Sequence, residues 1–302
     1  MSEVETILLD GSFVARYGYE VHKELSWESE RGRVETGCLY GFLDTAISWR
    51  RRFGGRIIVC WDRGYGIRTA IDPTYKQNRR DNPWEERDRY EAQKRLLMKV
   101  LPYTGFTQAY APEHEGDDVM VTLSKRLPKP IMVVSSDWDL HQVIAPGVKL
   151  LRKFSSGRVR ESILGIEEHK AKWGFGPEHF PWFQSLVGCV GDNVSGVKGM
   201  GKKRAADLIE NHSDVYEQFV LNGNEEVLEG SGLQKVVVNA LRNGRDDALR
   251  SLKLVTMRDD APVVYIRSRF RPAELLDLLE YYGCYDLTKD TKFKWFGENA
   301  ID

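Results

Sequence analysis

Seven carboxylates stand where short apolar runs end or helical runs begin. Asp10 closes Thr6-Ile7-Leu8-Leu9, and Asp62 closes Arg56-Ile57-Ile58-Val59-Cys60-Trp61. Asp137 and Asp139 follow Ile131-Met132-Val133-Val134-Ser135-Ser136. Glu115, Asp117 and Asp118 open a helical run through Val119, Thr122 and Leu123. A single Asp in such a place is ordinarily a helix cap, and one or two acids at a helix start favour its dipole. With Glu113 the last group reaches four acids in six residues, more than a dipole needs, and their repulsion calls for a cation. Hard oxygen ligands in this number suit Mg²⁺ or Mn²⁺. Two such ions can clamp the attacking and leaving oxygens of a phosphodiester. No Ser-His-Asp order or Cys-His pair stands out, and the lone His141 near Asp139 reads as structural.

The elements that must position these acids are strands of one sheet. Ile131 to Val134 reads as a strand buried on both faces, and open parallel sheets bind ligands beyond the carboxyl ends of their strands. Cys38, Phe42, Ala46, Trp49 and Phe53 recur at helical spacing, and Gly54-Gly55 stops that helix. The strand-helix-strand order predicts a parallel sheet with right-handed crossovers. Residues 63–80 show no period and read as a loop. Asn82-Pro83 is a helix-start signal for a helix from about Trp84 to Leu101, whose charged first half is expected to project from the core. Phe106–Tyr110 and Val148–Leu151 are further candidate strands.

The 302 residues suffice for one large α/β domain, or for one domain with a smaller appendage. No apolar run reaches membrane-spanning length, and the first residues lack the pattern of a signal peptide. Four widely spaced cysteines suggest a reduced, cytoplasmic protein without a zinc site or disulfide framework. A net charge of −1 argues at first against nucleic acid. The basic residues are nevertheless bunched, at Arg50-Arg51-Arg52, Arg79-Arg80, Lys198 and Lys202-Lys203-Arg204. The first run reads as a solvated helix face. Near Trp173 the composition turns to Gly, Pro and aromatics, the approach to a second, helical subdomain. Its stretch from Leu186 to Ile209 reads as helix, glycine-rich hairpin, helix. Gly199-Met200-Gly201 lets the backbone approach a phosphate, the next helix offers free N–H groups, and Lys198, Lys202 and Lys203 add long-range attraction. A clamp on the DNA backbone is the better reading of that stretch.

Taken together, these pieces resemble the structure-specific 5′ nucleases: flap endonucleases, bacteriophage 5′–3′ exonucleases and the 5′-nuclease domain of bacterial DNA polymerase I. The resemblance rests on Leu8-Leu9-Asp10-Gly11, Tyr40-Gly41-Phe42-Leu43, Asp62, Tyr75-Lys76-Gln77-Asn78-Arg79, Glu115-Gly116-Asp117-Asp118 and Ser136-Asp137-Trp138-Asp139-Leu140. Gly191-Asp192-Asn193, Gly196-Val197-Lys198-Gly199-Met200-Gly201 and Leu254-Val255-Thr256-Met257 continue it in the family's order. It implies an α/β fold with a central, mostly parallel sheet flanked by helices, a PIN-like 5′-nuclease core at 1–180. A helical arch at about 81–105 would let a free 5′ strand pass, and a helical helix-hairpin-helix subdomain with a C-terminal helical region would occupy 181–302.

By the same resemblance Asp10, Asp62, Glu115, Asp117 and Asp118 would serve a first Mg²⁺ or Mn²⁺, directly or through water. Asp137, Asp139 and Asp192 would serve a second. Lys76 and Arg79 would contact the scissile phosphate, Tyr75 would stack on a base near the cut, and Lys198, Gly199, Gly201, Lys202 and Lys203 would grip the duplex. The hairpin of the family often binds K⁺. The expected partner is DNA with a 5′ flap, nick or 5′ end, or an RNA/DNA hybrid, bound by a monomer in the cytoplasm of a bacterial or phage-infected cell. One departure stands out: the family's Asp-x-x-Asp is Cys189-Val190-Gly191-Asp192 here, so a second-site ligand becomes a thiol. A haloacid-dehalogenase-type phosphatase would want an acid where Ser12 stands. A PIN-type ribonuclease would lack hairpin and arch, and a non-catalytic junction binder would tolerate Cys189.

Overall fold

The computed structural model describes residues 3–29, 32–81, 85–155 and 159–297. Its strands are β1 (Thr6–Asp10), β2 (Ser26–Ser29), β3 (Gly32–Glu35), β4 (Arg56–Trp61), β5 (Thr107–Tyr110), β6 (Ile131–Ser135), β7 (Val148–Ser155), β8 (Val159–Leu164) and β9 (Val264–Ile266). Seven form one sheet in the order β8-β7-β6-β1-β4-β5-β9, while β2 and β3 pair as a separate hairpin. The five central strands run parallel, and β8 and β9 are antiparallel edges. Because β1 has β4 on one side and β6 on the other, three strand ends meet where the chain order reverses, the usual place for a ligand in such sheets.

Alternation along the strands feeds two apolar layers. Ile7, Leu9, Ile57, Val59 and Val134 face one side, against α1 (Gly11–His22), α2 (Gly37–Phe53) and the C-terminal half of a later helix at Arg87–Val100. Leu8, Ile58, Val133 and Leu150 face the other, with Val119, Met120 and Leu123 of the helix Gly116–Arg126. Full burial on both faces explains why β1, β4 and β6 are continuous apolar runs.

Helix α1 is absent from the apolar periodicity because a glycine occupies one of its buried positions. A Cβ on Gly18 would lie 2.7 Å from the Phe42 nitrogen, and one on Gly41 would lie 2.6 Å from the Gly18 Cα. Both glycines therefore permit a crossing of α1 and α2 too close for any side chain. The stretch 63–80, expected as a loop, holds two short helices, α3 (Gly66–Ile71) and α4 (Gln77–Asp81), each too brief to show a period. The next helix, α5 (Arg87–Val100), follows the start signal Asn82-Pro83 and Trp84, which lie outside the described residues. Its charged first half does not project. Arg89 binds Glu35 at 2.8 Å, the Cys38 N–H donates to Gln93 at 2.9 Å, and Tyr90 packs edge-on against Tyr19.

Helix α6 (Gly116–Arg126) follows β5. Beyond the sheet come α7 (Ile166–Trp173), α8 (Phe180–Val187), α9 (Lys202–Asn211) and the long helix Lys235–Val255. They share a separate core that includes Phe180, Phe183, Leu208, Tyr216 and Leu241. Residues 264–297 do not stay there, in contrast to the expected C-terminal subdomain of 181–302. Strand β9 joins the sheet edge, and Leu275, Leu279, Leu287 and Phe296 enter the first core layer beside Phe106. No helix among the described residues is long and apolar enough to cross a membrane.

Candidate active site

Asp10 ends β1 and caps α1. Its Oδ1 accepts the Phe13 N–H at 2.9 Å and its Oδ2 accepts the Ser135 hydroxyl at 2.7 Å, tying β1 to β6. Asp62, one residue past β4, accepts the Gly116 N–H at 2.7 Å and the Ser12 hydroxyl at 2.5 Å. Asp117 lies in the first turn of α6 and Asp137 just beyond β6. These four acids line one cleft of about 560 Å³, overlooked by Lys76, Arg79 and the start of α5. Burial, followed by the charge of Asp62, pushes the Asp10 carboxyl up to about 7. Asp117 is raised well above the carboxylate range by burial and then by Asp137, Asp10, Glu115 and Asp62. Negative charge is thus crowded beyond what the protein's own cations neutralise.

Deeper in the fold the remaining acids divide. Glu115 caps α6 and meets three groups: Arg68 at 3.2 Å, the Tyr75 hydroxyl at 2.8 Å, and the Lys76 ammonium. Asp118 behaves differently from its expected role at the first metal. It is fully buried, both oxygens are held by the Arg68 guanidinium at 2.6 and 2.8 Å, and Oδ1 also accepts the Arg258 N–H at 2.8 Å. Burial alone would raise its pKa, but the Arg68 hydrogen bonds outweigh that and hold the carboxyl below the usual range. Asp118 is therefore a buried counter-ion that anchors Arg68, with no oxygen left facing the cleft. Arg68, hidden in the aperiodic stretch, gave no signal in the sequence, and its Nε also donates to the Leu254 carbonyl at 2.9 Å.

Lys76 adopts a left-handed backbone conformation, φ 53°, fixed by its N–H to the Asp192 carbonyl at 2.9 Å. Its ammonium is nearly enclosed; burial opposes its charge, but Glu115 and Asp192 more than offset this and raise its pKa. Arg79 reaches Asp192 Oδ1 at 2.5 Å. The loop carrying Asp192 is stitched to this segment by Asn78 donating to the Val190 carbonyl and Asn193 donating to the Thr74 carbonyl. Tyr75 departs from its expected stacking role. Its ring is 3 % exposed, lies edge-on to Tyr65 at 5.9 Å, and its hydroxyl is committed to Glu115 and Asp192. Tyr65 and Phe13 are the partly exposed aromatics that line the cleft among the described residues.

Asp139 follows Asp137, whose Oδ1 accepts the Asp139 N–H at 2.9 Å. Among the described residues, Asp139, Cys189 and Asp192 are the set of potential ligands whose donor atoms all lie within 4.8 Å of one another. Asp139 Oδ1 is enclosed and has no hydrogen-bond partner, an orphaned acceptor that fits a cation. Between α8 and α9 the glycine-rich hairpin presents Lys198, Gly199, Gly201, Lys202 and Lys203, all exposed. Gly199 has φ 89°, and its carbonyl is bound by Arg204 at 2.8 Å. The Lys202 ammonium lies 5.1 Å over the ring of Trp138, the residue between Asp137 and Asp139.

Crowded hard acids facing enclosed cations at a sheet switch point define a phosphoryl-transfer site, and the helical clamp beside it suits a nucleic-acid backbone. The family described as the 5′-3′ exonuclease N-terminal resolvase-like domain matches residues 5–174, and the 5′-3′ exonuclease C-terminal SAM fold matches residues 175–275. The chain belongs to the 5′-3′ exonuclease family, a family of phosphodiesterases acting on DNA. It is similar to the 5′-3′ exonuclease of Buchnera aphidicola, 27% identical over 265 residues that cover 85% of this chain and 87% of the relative. The thermostable DNA polymerase I of Thermus thermophilus is 26% identical over 262 residues, 85% of this chain but 29% of the polymerase. The bacteriophage T5 flap endonuclease, solved with DNA and metal ions, superposes with a TM-score of 0.62 at 21% identity over 96% of each chain, a likeness of fold.

Proposed function

We propose that this chain hydrolyses DNA phosphodiesters near 5′ ends and at single-strand/duplex junctions, as a 5′–3′ exonuclease and flap endonuclease in replication or repair. The observation that carries this reading is the crowding of Asp10, Asp62, Asp117 and Asp137 beyond the carboxyl ends of the central strands, with Asp10 and Asp117 driven toward the protonated form by burial and mutual repulsion. Such a site is built for cations. Asp10, Asp62, Glu115 and Asp117 would hold a first ion; Asp137, Asp139 and Asp192 would hold a second. Bound Mg²⁺ or Mn²⁺ supplies Lewis-acid charge to the attacking and leaving oxygens of the phosphodiester.

The protein's own groups do the positioning. Lys76 and Arg79 lie beside Glu115 and Asp192, where they can take the non-bridging oxygens of the scissile phosphate and stabilise its developing charge. Tyr65 offers a face to the terminal base. Asp118 and Arg68 keep the start of α6, and with it Glu115 and Asp117, in place. The lysines of the hairpin track the duplex backbone with Gly199 and Gly201. The substrate is a 5′-flapped, nicked or 5′-ended DNA duplex, or an RNA/DNA hybrid, acted on by a monomer.

The test is cleavage of a 5′-flap DNA with Mg²⁺ and with EDTA. Cleavage is expected with Mg²⁺ alone, and Asp62→Ala or Asp137→Ala should abolish it while DNA binding persists. Full cleavage by both variants would end the two-metal reading.

A further inference from the structure

Beside the open cleft lies a second, smaller space of about 20 Å³ lined by Asp117, Asp139, Cys189 and Asp192, with the cations Lys76 and Arg68 also on its wall, room for a single water-sized occupant. The Cys189 sulfur and carboxylate oxygens of Asp139 and Asp192 lie within 4.8 Å of one another. Asp139 is 9% exposed; the Cys189 thiol hydrogen-bonds its carboxyl, and Oδ1 has no partner. An enclosed carboxylate oxygen without a partner is costly unless something comes to it. Cys189 itself sits on a stiff support, since its N–H and carbonyl both pair with Val194 across an isolated bridge.

We infer that the second ion site of this chain is a mixed site of one thiolate and two carboxylates, selective for Mn²⁺, Co²⁺ or Zn²⁺ over Mg²⁺. The inference rests on the metal reading above and deepens it. Mg²⁺ demands hard oxygen ligands, and sulfur adds nothing to its binding; borderline first-row ions gain from a thiolate. Burial and the charges of Asp139 and Asp192 push the Cys189 thiol up to about 12, so an ion bound there would have to displace the thiol proton to solvent, and metal uptake would release that proton. Arg79, whose side chain is 57% exposed, pairs with Asp192 and donates to the Gly191 carbonyl at 3.1 Å; an ion at Asp192 would release the first of these contacts for a phosphate.

Titration of the protein with Co²⁺ alone, read by absorbance, tests the inference without any reaction. A sulfur-to-cobalt charge-transfer band should appear and saturate with the ion, and Cys189→Ser should lack it. Cys38, Cys60 and Cys284 are at most 2% exposed and serve as silent controls. Mn²⁺ should displace the Co²⁺ at lower concentration than Mg²⁺. Cys189→Asp should tighten Mg²⁺ at this site about tenfold, the low end for changes around a bound ion. Bound Co²⁺ without the band, a band that survives in Cys189→Ser, or equal Mg²⁺ affinity in wild type and Cys189→Asp would overturn it. Cleavage of the 5′-flap DNA run in parallel separates the two readings. A Cys189-dependent band without cleavage upholds the mixed site and sinks the nuclease, whereas cleavage without the band does the reverse.

Discussion

Lys76 is held in a backbone region that non-glycine residues rarely occupy, and such positions persist only where neighbours over-determine them. Here the Asp192 carbonyl fixes its N–H while Glu115 and Asp192 surround its ammonium. A cation so pre-placed stabilises developing charge without reorganising. Lys76→Ala should therefore lower single-turnover cleavage at saturating DNA by roughly 10²–10³-fold; normal cleavage at saturation with weaker binding would assign the residue to affinity alone. Asp10 yields a pH prediction. Its carboxyl is raised from 3.8 to about 7, so between those values the folded protein holds a proton that the unfolded chain has released. Stability of the metal-free protein must then fall as pH rises from about 4 to about 7, with the full cost present above that range. In EDTA, Asp10→Asn should raise the thermal midpoint at pH 8 and flatten its pH dependence; parallel curves for both proteins would refute the assignment. Asp10 itself was legible in the sequence because it terminates an apolar run. Arg68 was not, since nothing local distinguishes a guanidinium that pairs with an acid 50 positions away.

At the scale of elements, continuous apolar runs, glycine stops and helix-start signals carried through: β1, β4, β5, β6, β7, α2, α5, α6 and the hairpin before α9. What escaped was set by tertiary contact. Helix α1 is obscured by the glycine at its crossing with α2, and β8 is an antiparallel edge strand of mixed polar and apolar residues. The docking of α5 depends on Arg89 and Gln93, polar residues whose partners lie on β3 and α2. The α8–α9 hairpin, by contrast, declares itself through exposed lysines and a glycine with φ 89°. If that element grips the duplex, Lys202→Ala with Lys203→Ala should weaken duplex affinity and reduce the slope of log affinity against log salt by about 2, at about 0.9 per phosphate contact. Cleavage at saturating DNA should change far less than affinity. An unchanged salt slope would remove the clamp from this hairpin.

For the whole molecule, the two halves are joined by polar contacts near the site, buried or partly buried, as well as by chain continuity. Arg68 donates to the Leu254 carbonyl, and Gln142 donates to the Val255 carbonyl while accepting the Met257 N–H. The long helix Lys235–Val255 thus ends on the acids' own support, and the chain then returns to the sheet. That return was illegible because residues 264–297 read locally as one more helical segment, while their apolar side chains fill a layer begun more than 200 residues earlier. Leu275, Leu279 and Leu287 are fully buried and Phe296 nearly so. At about 1.5–3 kcal/mol per side chain, these four contribute roughly 6–12 kcal/mol of burial, comparable to the roughly 5–15 kcal/mol that holds a whole domain folded. A chain ending at residue 263 should therefore lose the cooperative unfolding of the nuclease core itself, seen as a lost or sharply lowered thermal transition, and with it cleavage of even the simplest 5′-ended duplex. If the shortened chain instead melts like the full one and merely binds DNA more weakly, residues 264–297 are an appendage of the helical region and not part of the core.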